Sequence, residues 1–349
     1  RKDAAPNRGY IFYQRQTTGL WTFWTANGSG WDEMTGPLSR AGEFDYLAGA
    51  FDEAEAEYRD ALSRDPGLAR ALHGLARAHA SLRLEEQRNR DLPPMPVITT
   101  AEEYQERGNA AVTRYHEFLA AKDIMAVEPW MDPAMRAHVG EFVAEDQRNF
   151  FAIATHYEPL TLYTHFYHWW DLARMRERPH ASAIRRGPLL YNIWDSRAEG
   201  MATGMEEMMM HAGLYDAQPR AREIVWIMLA QRAARGLGSL YAHANEFTLK
   251  QAKDFHVAWT PRGWMREDLD LLGFEQLLYL RQPGYGTSYV VGKYQVEQLL
   301  MERARQQGAD FTMRGFFAEI DAAGLIPMSL IRWQLTGEDG ELRALLDAR

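Results

Sequence analysis

The chain has 349 residues, a formal net charge of −9, 46% apolar residues and 25% charged residues, which together indicate a folded protein with a sizeable core. It has no cysteine, which excludes disulfides, iron–sulfur clusters, thiolate zinc sites and a cysteine nucleophile. The negative charge argues against nucleic acid as a partner, and no apolar run reaches the roughly 18 residues that a transmembrane helix needs.

The first forty residues combine aromatic side chains with glycine and short apolar/polar alternation. This pattern predicts extended segments or an irregular arm, with a turn at Gly28-Ser29-Gly30. The chain begins at Arg1 rather than Met, so we expect that a segment before it has been removed or left out. Because no apolar run could span a bilayer, we expect a soluble protein, either cytoplasmic or exported. The aromatic residues are Tyr10, Phe12, Tyr13, Trp21, Phe23, Trp24 and Trp31.

Residues 42–84 predict two antiparallel helices. Their small and aromatic residues have the spacing of one tetratricopeptide unit, but an ordinary helical hairpin satisfies the same packing, and a tetratricopeptide solenoid needs about three units. In either case this hairpin is a candidate surface for a protein partner. The matching residues are Gly49, Phe51, Ala54, Tyr58, Ala61, Pro66, Leu72, Leu75 and Ala76.

The proline-rich stretch 91–96 predicts a stiff linker, and hence two domains at 1–92 and 97–349. Beyond it almost every segment has helical periodicity. Thr100 with Glu103 predicts a capping box at the start of a helix that runs to about Lys122, and Gly213 predicts the end of a helix from 190. The fold class is therefore mainly α: a large helical bundle with an N-terminal hairpin and arm.

Two histidines, His165 and His168, are three residues apart, and Asp171 follows at the same step. On a helix this spacing leaves the side chains on one face. Two imidazoles and a carboxylate can hold zinc with one position open for water. The alternative is that these histidines make hydrogen bonds within an aromatic core.

The next predicted helix carries Glu199, Glu206 and Glu207 among methionines, so it should be largely buried. Buried carboxylates need a cation or a metal ion as partner. Glu207 and His211 form a second metal-capable pair at i and i+4. The alternative partners are arginines, among them Arg185, Arg186 and Arg197, or solvent at the helix edge. The methionines themselves are more typical of core than of a copper site.

Residues 281–293 break two helices with glycines that allow close backbone approach. Tyr285 and Tyr289 are candidates for placing a phenol over a substrate oxyanion, and Arg281 and Lys293 for binding a substrate carboxylate. The alternative is a purely structural break.

These three segments, in this order, resemble the bacterial domain-of-unknown-function family 885, which looks like a helical zinc-peptidase fold. Its motifs run Thr-His-Glu-x-x-Pro-Gly-His, Glu-Gly-Trp-Ala-x-x-x-Glu and Pro-Gly-Gln-Ala-x-x-Tyr-x-x-Gly. Here Glu199-Gly200-Met201-Ala202 with Glu206 matches the second motif, and Pro283-Gly284 with Tyr289 and Gly292 matches the third. Further similarity is seen at His211–Tyr215 and at Phe316–Leu330, so the resemblance covers about residues 100–335.

The resemblance implies a zinc ion bound by His165, His168 and Glu199, with Tyr289 near the reacting carbonyl. The chain departs from the first motif, because Phe166 follows His165 where the family has the general-base Glu. A zinc hydrolase would then need Asp171 or Glu206 to take the proton from metal-bound water.

Three hypotheses follow for the function. The first is a metal-dependent hydrolase acting on a peptide or other small amide. The second is a non-catalytic binding or scaffold protein on a peptidase-like helical body, favoured by the missing Glu. The third, a di-metal oxidase using Glu199, Glu206, His165, His168 and His211, is disfavoured because the Glu-x-x-His motifs typical of such bundles are absent.

Overall fold

The structure is a computed structural model that describes residues 22–26, 31–35, 66–186 and 195–347. The chain is mainly α, which confirms the predicted fold class. The α-helices are α1 (Pro66–Arg88), α2 (Ala101–Ala121), α3 (Met131–Arg136), α4 (Phe150–Tyr157), α5 (Pro159–Tyr163), α6 (Tyr167–Glu177), α7 (Asp195–Ala212), α8 (Ala221–His243), α9 (Leu249–Trp259), α10 (Leu271–Arg281), α11 (Tyr285–Gln307), α12 (Met313–Ala323), α13 (Met328–Thr336) and α14 (Gly340–Asp347). Short 3-10 turns occur at Glu145–Gln147, Thr164–Phe166, Pro261–Gly263 and Gly308–Asp310.

Two strands near the N terminus, β1 (Thr22–Ala26) and β2 (Trp31–Thr35), pair in an antiparallel sheet with Trp24 opposite Glu33. They fall where the sequence predicts extended segments. The rest of the predicted arm, and the first helix of the predicted tetratricopeptide-like hairpin, lie outside the described residues. Its second helix corresponds to α1.

Two helix ends lie where the sequence predicts them, at Thr100 and at Gly213. The Thr100 side chain accepts a hydrogen bond from the Glu103 backbone N–H, and the Glu103 carboxylate accepts one from the Thr99 N–H at 3.2 Å. Gly213 has φ +99° just after α7, a left-handed conformation that glycine adopts without strain.

The chain divides into two compact units. The first contains Arg1–Pro93 and Tyr215–Val291, and the second contains Pro94–Leu214 and Gly292–Arg349. One boundary coincides with the proline-rich linker, but the predicted continuous domain 97–349 differs from this division, because residues 215–291 group with the N-terminal part. Sequence order alone does not reveal such a return of the chain.

In the first unit, α8 is the central helix and is buried over most of its length. Both α1 and α9 pack against it, and Leu72 and Leu75 of α1 are fully buried. Gly236 of α8 lies against the backbone of Gly286, since a Cβ added to Gly236 would be 2.9 Å from the Gly286 carbonyl oxygen.

In the second unit, α7 packs against α6 and the 3-10 turn before it. The core here is aromatic and methionine-rich, with Trp170 stacked on Tyr115 at 5.4 Å between ring centroids. Met201 and Met205 of α7 are fully buried, as the sequence indicates. This burial brings the acidic side chains of α7 into the interior.

A direct backbone contact fixes α7 against α11 within the second unit. A Cβ added to Gly200 would lie 2.3 Å from the Gly292 backbone carbon, and one added to Gly292 would lie 2.2 Å from the Ser196 oxygen. No side chain larger than hydrogen fits at either position without separating the helices. Among the described residues, none of the helices is long and apolar enough to span a bilayer.

Candidate metal centre

Three side chains of the second unit converge as potential metal ligands: His165, His168 and Glu199. One ligand atom from each lies within 4.8 Å of the other two. The Glu199 Oε2 atom is 2.9 Å from His168 Nε2 and 3.4 Å from His165 Nε2. The structure thus brings together the residues that the family resemblance implies as ligands.

The two histidines do not share one regular helix, which differs from the prediction. His165 lies in the 3-10 turn Thr164–Phe166, and His168 lies in the first turn of α6. Their rings are nearly perpendicular, at 78° and 4.9 Å between centroids. The change from 3-10 to α geometry still leaves both imidazoles facing the same carboxylate of α7.

Glu206 lies on the other side of the His165 ring. Its Oε1 atom is 3.0 Å from His165 Nδ1, whereas His165 Nε2 is the nitrogen near Glu199. A carboxylate that accepts a hydrogen bond from Nδ1–H keeps the proton on Nδ1, leaves the Nε2 lone pair for a metal ion and fixes the ring orientation. This arrangement makes Glu206 an orienting partner of His165, in place of the general base predicted for it.

The electrostatics of the cluster are those of a buried carboxylate between imidazoles. Burial opposes the charge of Glu199, but the two histidines outweigh it and lower the pKa of Glu199 well below its ordinary value. Burial also lowers the pKa of His168, yet Glu199 raises it more, so the net shift is upward. Without a metal ion, His168 and Glu199 would therefore form an ion pair.

The donor set and its spacing fit a zinc ion. Ligands about 2.0–2.1 Å from a tetrahedral zinc lie roughly 3.3 Å from one another. The separations of 2.9 and 3.4 Å to Glu199 Oε2 are close to that value. Two nitrogens and one carboxylate oxygen are also the ligand set of catalytic zinc sites that keep a position for water.

Asp195, at the first turn of α7, is a residue that the sequence interpretation missed. It precedes Glu199 by four residues, so the two carboxyl groups are on the same face of the helix. Burial and the charge of Glu199 raise the pKa of Asp195 to about 7, while His168 acts in the opposite direction. The sequence signal that could have identified Asp195 is its position four residues before Glu199, a ligand that the family resemblance implies.

Asp171 does not join the cluster. Its carboxylate receives bonds from Arg197 at 2.8 and 3.2 Å and from Arg174 at 2.5 Å, and the Arg197 side chain is fully buried. Two guanidinium groups hold this carboxylate in place. The general-base role predicted for Asp171 is therefore not supported by its contacts.

Lys293 is also engaged within the protein rather than presented to a substrate. Its side chain is buried and lies 2.7 Å from Glu207 Oε2, and it also contacts Glu297. Glu207 in turn contacts His211 at 3.1 Å. The predicted substrate-binding role of Lys293, and the predicted metal-binding pair of Glu207 and His211, are replaced by one buried ion cluster.

The remaining predicted residues, Tyr289, Tyr285 and Arg281, belong to the first unit. Tyr289 donates a hydrogen bond to the Tyr285 hydroxyl at 3.0 Å, and its ring lies under the Arg235 guanidinium at 4.1 Å. Arg281 is exposed at the end of α10. Their predicted catalytic and substrate-binding roles stay predictions.

Phe166 occupies the position where the related motif has its glutamate. Its ring stacks on Tyr163 at 4.9 Å and approaches Trp169 at 6.3 Å. The side chain packs among aromatic rings, so this position contributes packing instead of proton transfer.

Comparisons with known proteins address the fold. No family model matches the chain, and no curated protein matches it either. Among solved structures, it is similar to the "putative lipoprotein from Colwellia psychrerythraea", with 14% identity and a TM-score of 0.58. The match covers 87% of this chain and 61% of that one, so this chain spans about three fifths of the length of that protein. At this identity the likeness concerns the fold alone.

Proposed function

We propose that this chain is a zinc-dependent hydrolase that acts on a peptide or other amide, with His165, His168 and Glu199 as the metal ligands. The observation that carries the proposal is the convergence of three ligand atoms within 4.8 Å. The carboxylate behind His165, at 3.0 Å, adds the outer partner that zinc-binding histidines use. The motif order shared with family 885 supports an amide as the substrate class.

When bound at such a site, zinc lowers the pKa of a water ligand to about 7 and polarises a carbonyl group. The chain's own residues would provide the rest. Glu206 holds the His165 ring with Nε2 directed to the ligand set, and Glu199 supplies the negative charge. We assign Asp195 as the proton acceptor, because it lies one helical turn before the ligand Glu199, on the same face of α7.

The first experiment measures zinc content and affinity. Purified protein is stripped of metal, reconstituted with zinc and compared with His165→Ala, His168→Ala and Glu199→Ala. We expect about one equivalent in the wild type and a loss of at least tenfold in affinity in each variant. His243→Asn is the matched control, because His243 hydrogen-bonds to the Tyr279 backbone carbonyl and is not one of the three proposed ligands. Wild-type protein that retains less than about 0.1 equivalent after reconstitution contradicts the proposal.

The second experiment separates metal binding from turnover. A library of fluorogenic peptides and N-acyl amides is incubated with the zinc-loaded protein and with Asp195→Asn. We expect turnover in the wild type and a fall of about 10²–10⁴-fold in the variant, with its zinc content unchanged. Turnover that persists in Asp195→Asn would refute the assigned role of Asp195 and leave the ligand set standing.

A second candidate function is a non-catalytic zinc-containing binding protein. It is favoured by two observations: Phe166 packs among aromatic rings where the resembled family has its general-base glutamate, and arginines hold Asp171, a predicted substitute for that base. This candidate predicts stoichiometric zinc with no turnover of any library member. Peptide turnover that disappears in His165→Ala would exclude it.

A further inference from the structure

A cavity of about 430 Å³ lies in the second unit, separate from the three metal-ligand candidates. Its walls are the loop 125–130, the end of α6 with the residues after it, and one face of α12. This volume is within the range of about 300–1,000 Å³ that is typical of small-molecule sites. Neither the proposed reaction nor any contact described above uses this space.

The inner wall of the cavity is apolar and aromatic. Met125, Met131 and Phe317 are buried side chains that line it, and Trp130 lies beside them. The Trp130 indole N–H is buried and, within the described part of the chain, has no hydrogen-bond partner.

Arginines contribute the polar side of the lining. Arg174 is fixed, because Asp171 and Asp321 hold it at 2.5 and 2.9 Å and its guanidinium lies over Trp130. Together with Arg178 and Arg314, it gives three positive charges in the lining, against two acids, Glu128 and Asp321. Asp171 and Asp123, which lie outside the lining, pair with Arg174 and Arg314, so each of the three arginines already has a carboxylate partner.

The two arginines at the rim are held by exchangeable contacts. Arg178 binds Glu128 at 2.7 and 2.8 Å with 63% of its side chain exposed, and Arg314 binds Asp123 at 2.6 Å with 55% exposed. Exposed ion pairs contribute only about 0–1 kcal/mol, so an incoming anion can replace either carboxylate at small cost. A guanidinium also matches the planar, two-oxygen geometry of a carboxylate.

We propose that this cavity binds a small organic acid with an apolar body. The carboxylate is held by Arg178 and Arg314 at the rim, and the aliphatic or aromatic body lies on Met125, Met131, Phe317 and Trp130. The two guanidinium groups at the rim suit a carboxylate, and the apolar wall disfavours inorganic anions. This site is independent of the proposed hydrolase activity, so it stands or fails separately from it.

The test is calorimetric titration of the full chain with four probes: octanoate, phenylacetate, the neutral analogue octanamide, and inorganic phosphate. We expect at least one of the two acids to bind with a dissociation constant of about 1 mM or lower, at one site per chain. Octanamide and phosphate should bind at least tenfold more weakly. Equal binding of octanamide or phosphate, or no binding of either acid, overturns the proposal.

Variants locate the binding to the cavity. Arg178→Gln and Arg314→Gln should each weaken binding of the acid about tenfold, while Arg343→Gln, an exposed arginine paired with Asp339, should leave it unchanged. Ala318→Trp and Ala126→Trp fill the cavity from exposed positions and should abolish binding without unfolding the chain. If either folded tryptophan variant retains wild-type affinity, the acid binds elsewhere and the proposal is wrong.

Discussion

Helix α7 forms two polar clusters with helix α6 and the 3-10 turn before α6, and the two clusters differ in the cations that they use. In the first, Asp171 is held by Arg197 and Arg174, whose charges are permanent. In the second, Glu199 is held by His165 and His168, and an imidazole carries a positive charge only when it is protonated. A carboxylate between guanidinium groups is fixed as part of the structure, whereas a carboxylate between imidazoles is able to accept a metal ion in place of protons. The identity of the cation, more than burial of the acid, separates a structural cluster from a candidate functional one.

The largest effect is expected from breaking the structural cluster. Arg197→Met removes a fully buried guanidinium and leaves Asp171 short of one of its two cations, so we expect a loss of about 3–5 kcal/mol in unfolding free energy. Urea denaturation measures it, with the exposed Arg343→Met as a control that should change stability by less than about 0.5 kcal/mol. A loss below about 1 kcal/mol for Arg197→Met would mean that the buried pair is not the structural element described here.

Zinc should stabilise the protein only through the cluster of His165, His168 and Glu199. Zinc at about 100 times its dissociation constant should stabilise the wild type by about 2.7 kcal/mol, and chelation should reverse the effect. Thermal unfolding with and without zinc measures this, and Glu199→Ala should show no response. Arg343→Met should respond as the wild type does. A zinc response that survives Glu199→Ala would place the ion at another site.

A smaller effect concerns the position of α7. Gly200→Ala adds a Cβ that would lie 2.3 Å from the Gly292 backbone, so the helices must separate, at a cost of about 1–3 kcal/mol. Gly204→Ala, one turn further along α7, meets the Met208 methyl at 3.4 Å and a Val296 methyl at 3.8 Å, both ordinary van der Waals contacts, and should be neutral or slightly stabilising. Denaturation curves of this matched pair test the contact, and equal stability of the two variants would contradict it.

The smallest effect involves a buried imidazole whose side-chain partner is an amide. His256 of α9 interacts with the side-chain amide of Gln231 at 3.1 Å, and burial together with Arg235 lowers its pKa to about 3. Because the folded pKa lies below the unfolded value of about 6.5, the unfolded state takes up the proton first as pH falls. His256 therefore contributes stability above pH 6.5 that is lost progressively between pH 6.5 and about 3.

Between pH 6.5 and 5.5 this loss should amount to about 1 kcal/mol, since one pKa unit corresponds to about 1.4 kcal/mol. Unfolding free energies measured at these two pH values should differ by less in His256→Gln than in the wild type. An unchanged pH dependence in the variant would show that other groups cause the acid destabilisation.

The sequence predicted those features that depend on near neighbours. Thr100 and Gly213 mark helix ends through contacts within a few residues, and the resemblance named His165, His168 and Glu199. The partners of Asp171 and Lys293 could not be predicted in this way. Arg197 is 26 residues from Asp171, and Glu207 is 86 residues before Lys293, so only the folded chain places them in contact. Local spacing indicates which residues share a face, but not which opposing charge they meet.

The division into units was beyond prediction for a related reason. Proline-rich composition marked the point near Pro93 where the chain leaves the first unit. The return at Tyr215 has no comparable signal, because ordinary helix-to-helix connections look alike whether or not they change unit. The grouping depends on which apolar faces meet, such as those of α1 and α8.

The return of the chain to its first unit has a consequence for synthesis on the ribosome. The apolar face of α1, with Leu72 and Leu75, is covered by α8, which is made only after the whole of Pro94–Leu214. At about 5–20 residues per second, that interval is roughly 6–24 s. During this time the part of the α1 face that α8 later covers is open to aggregation or to a chaperone.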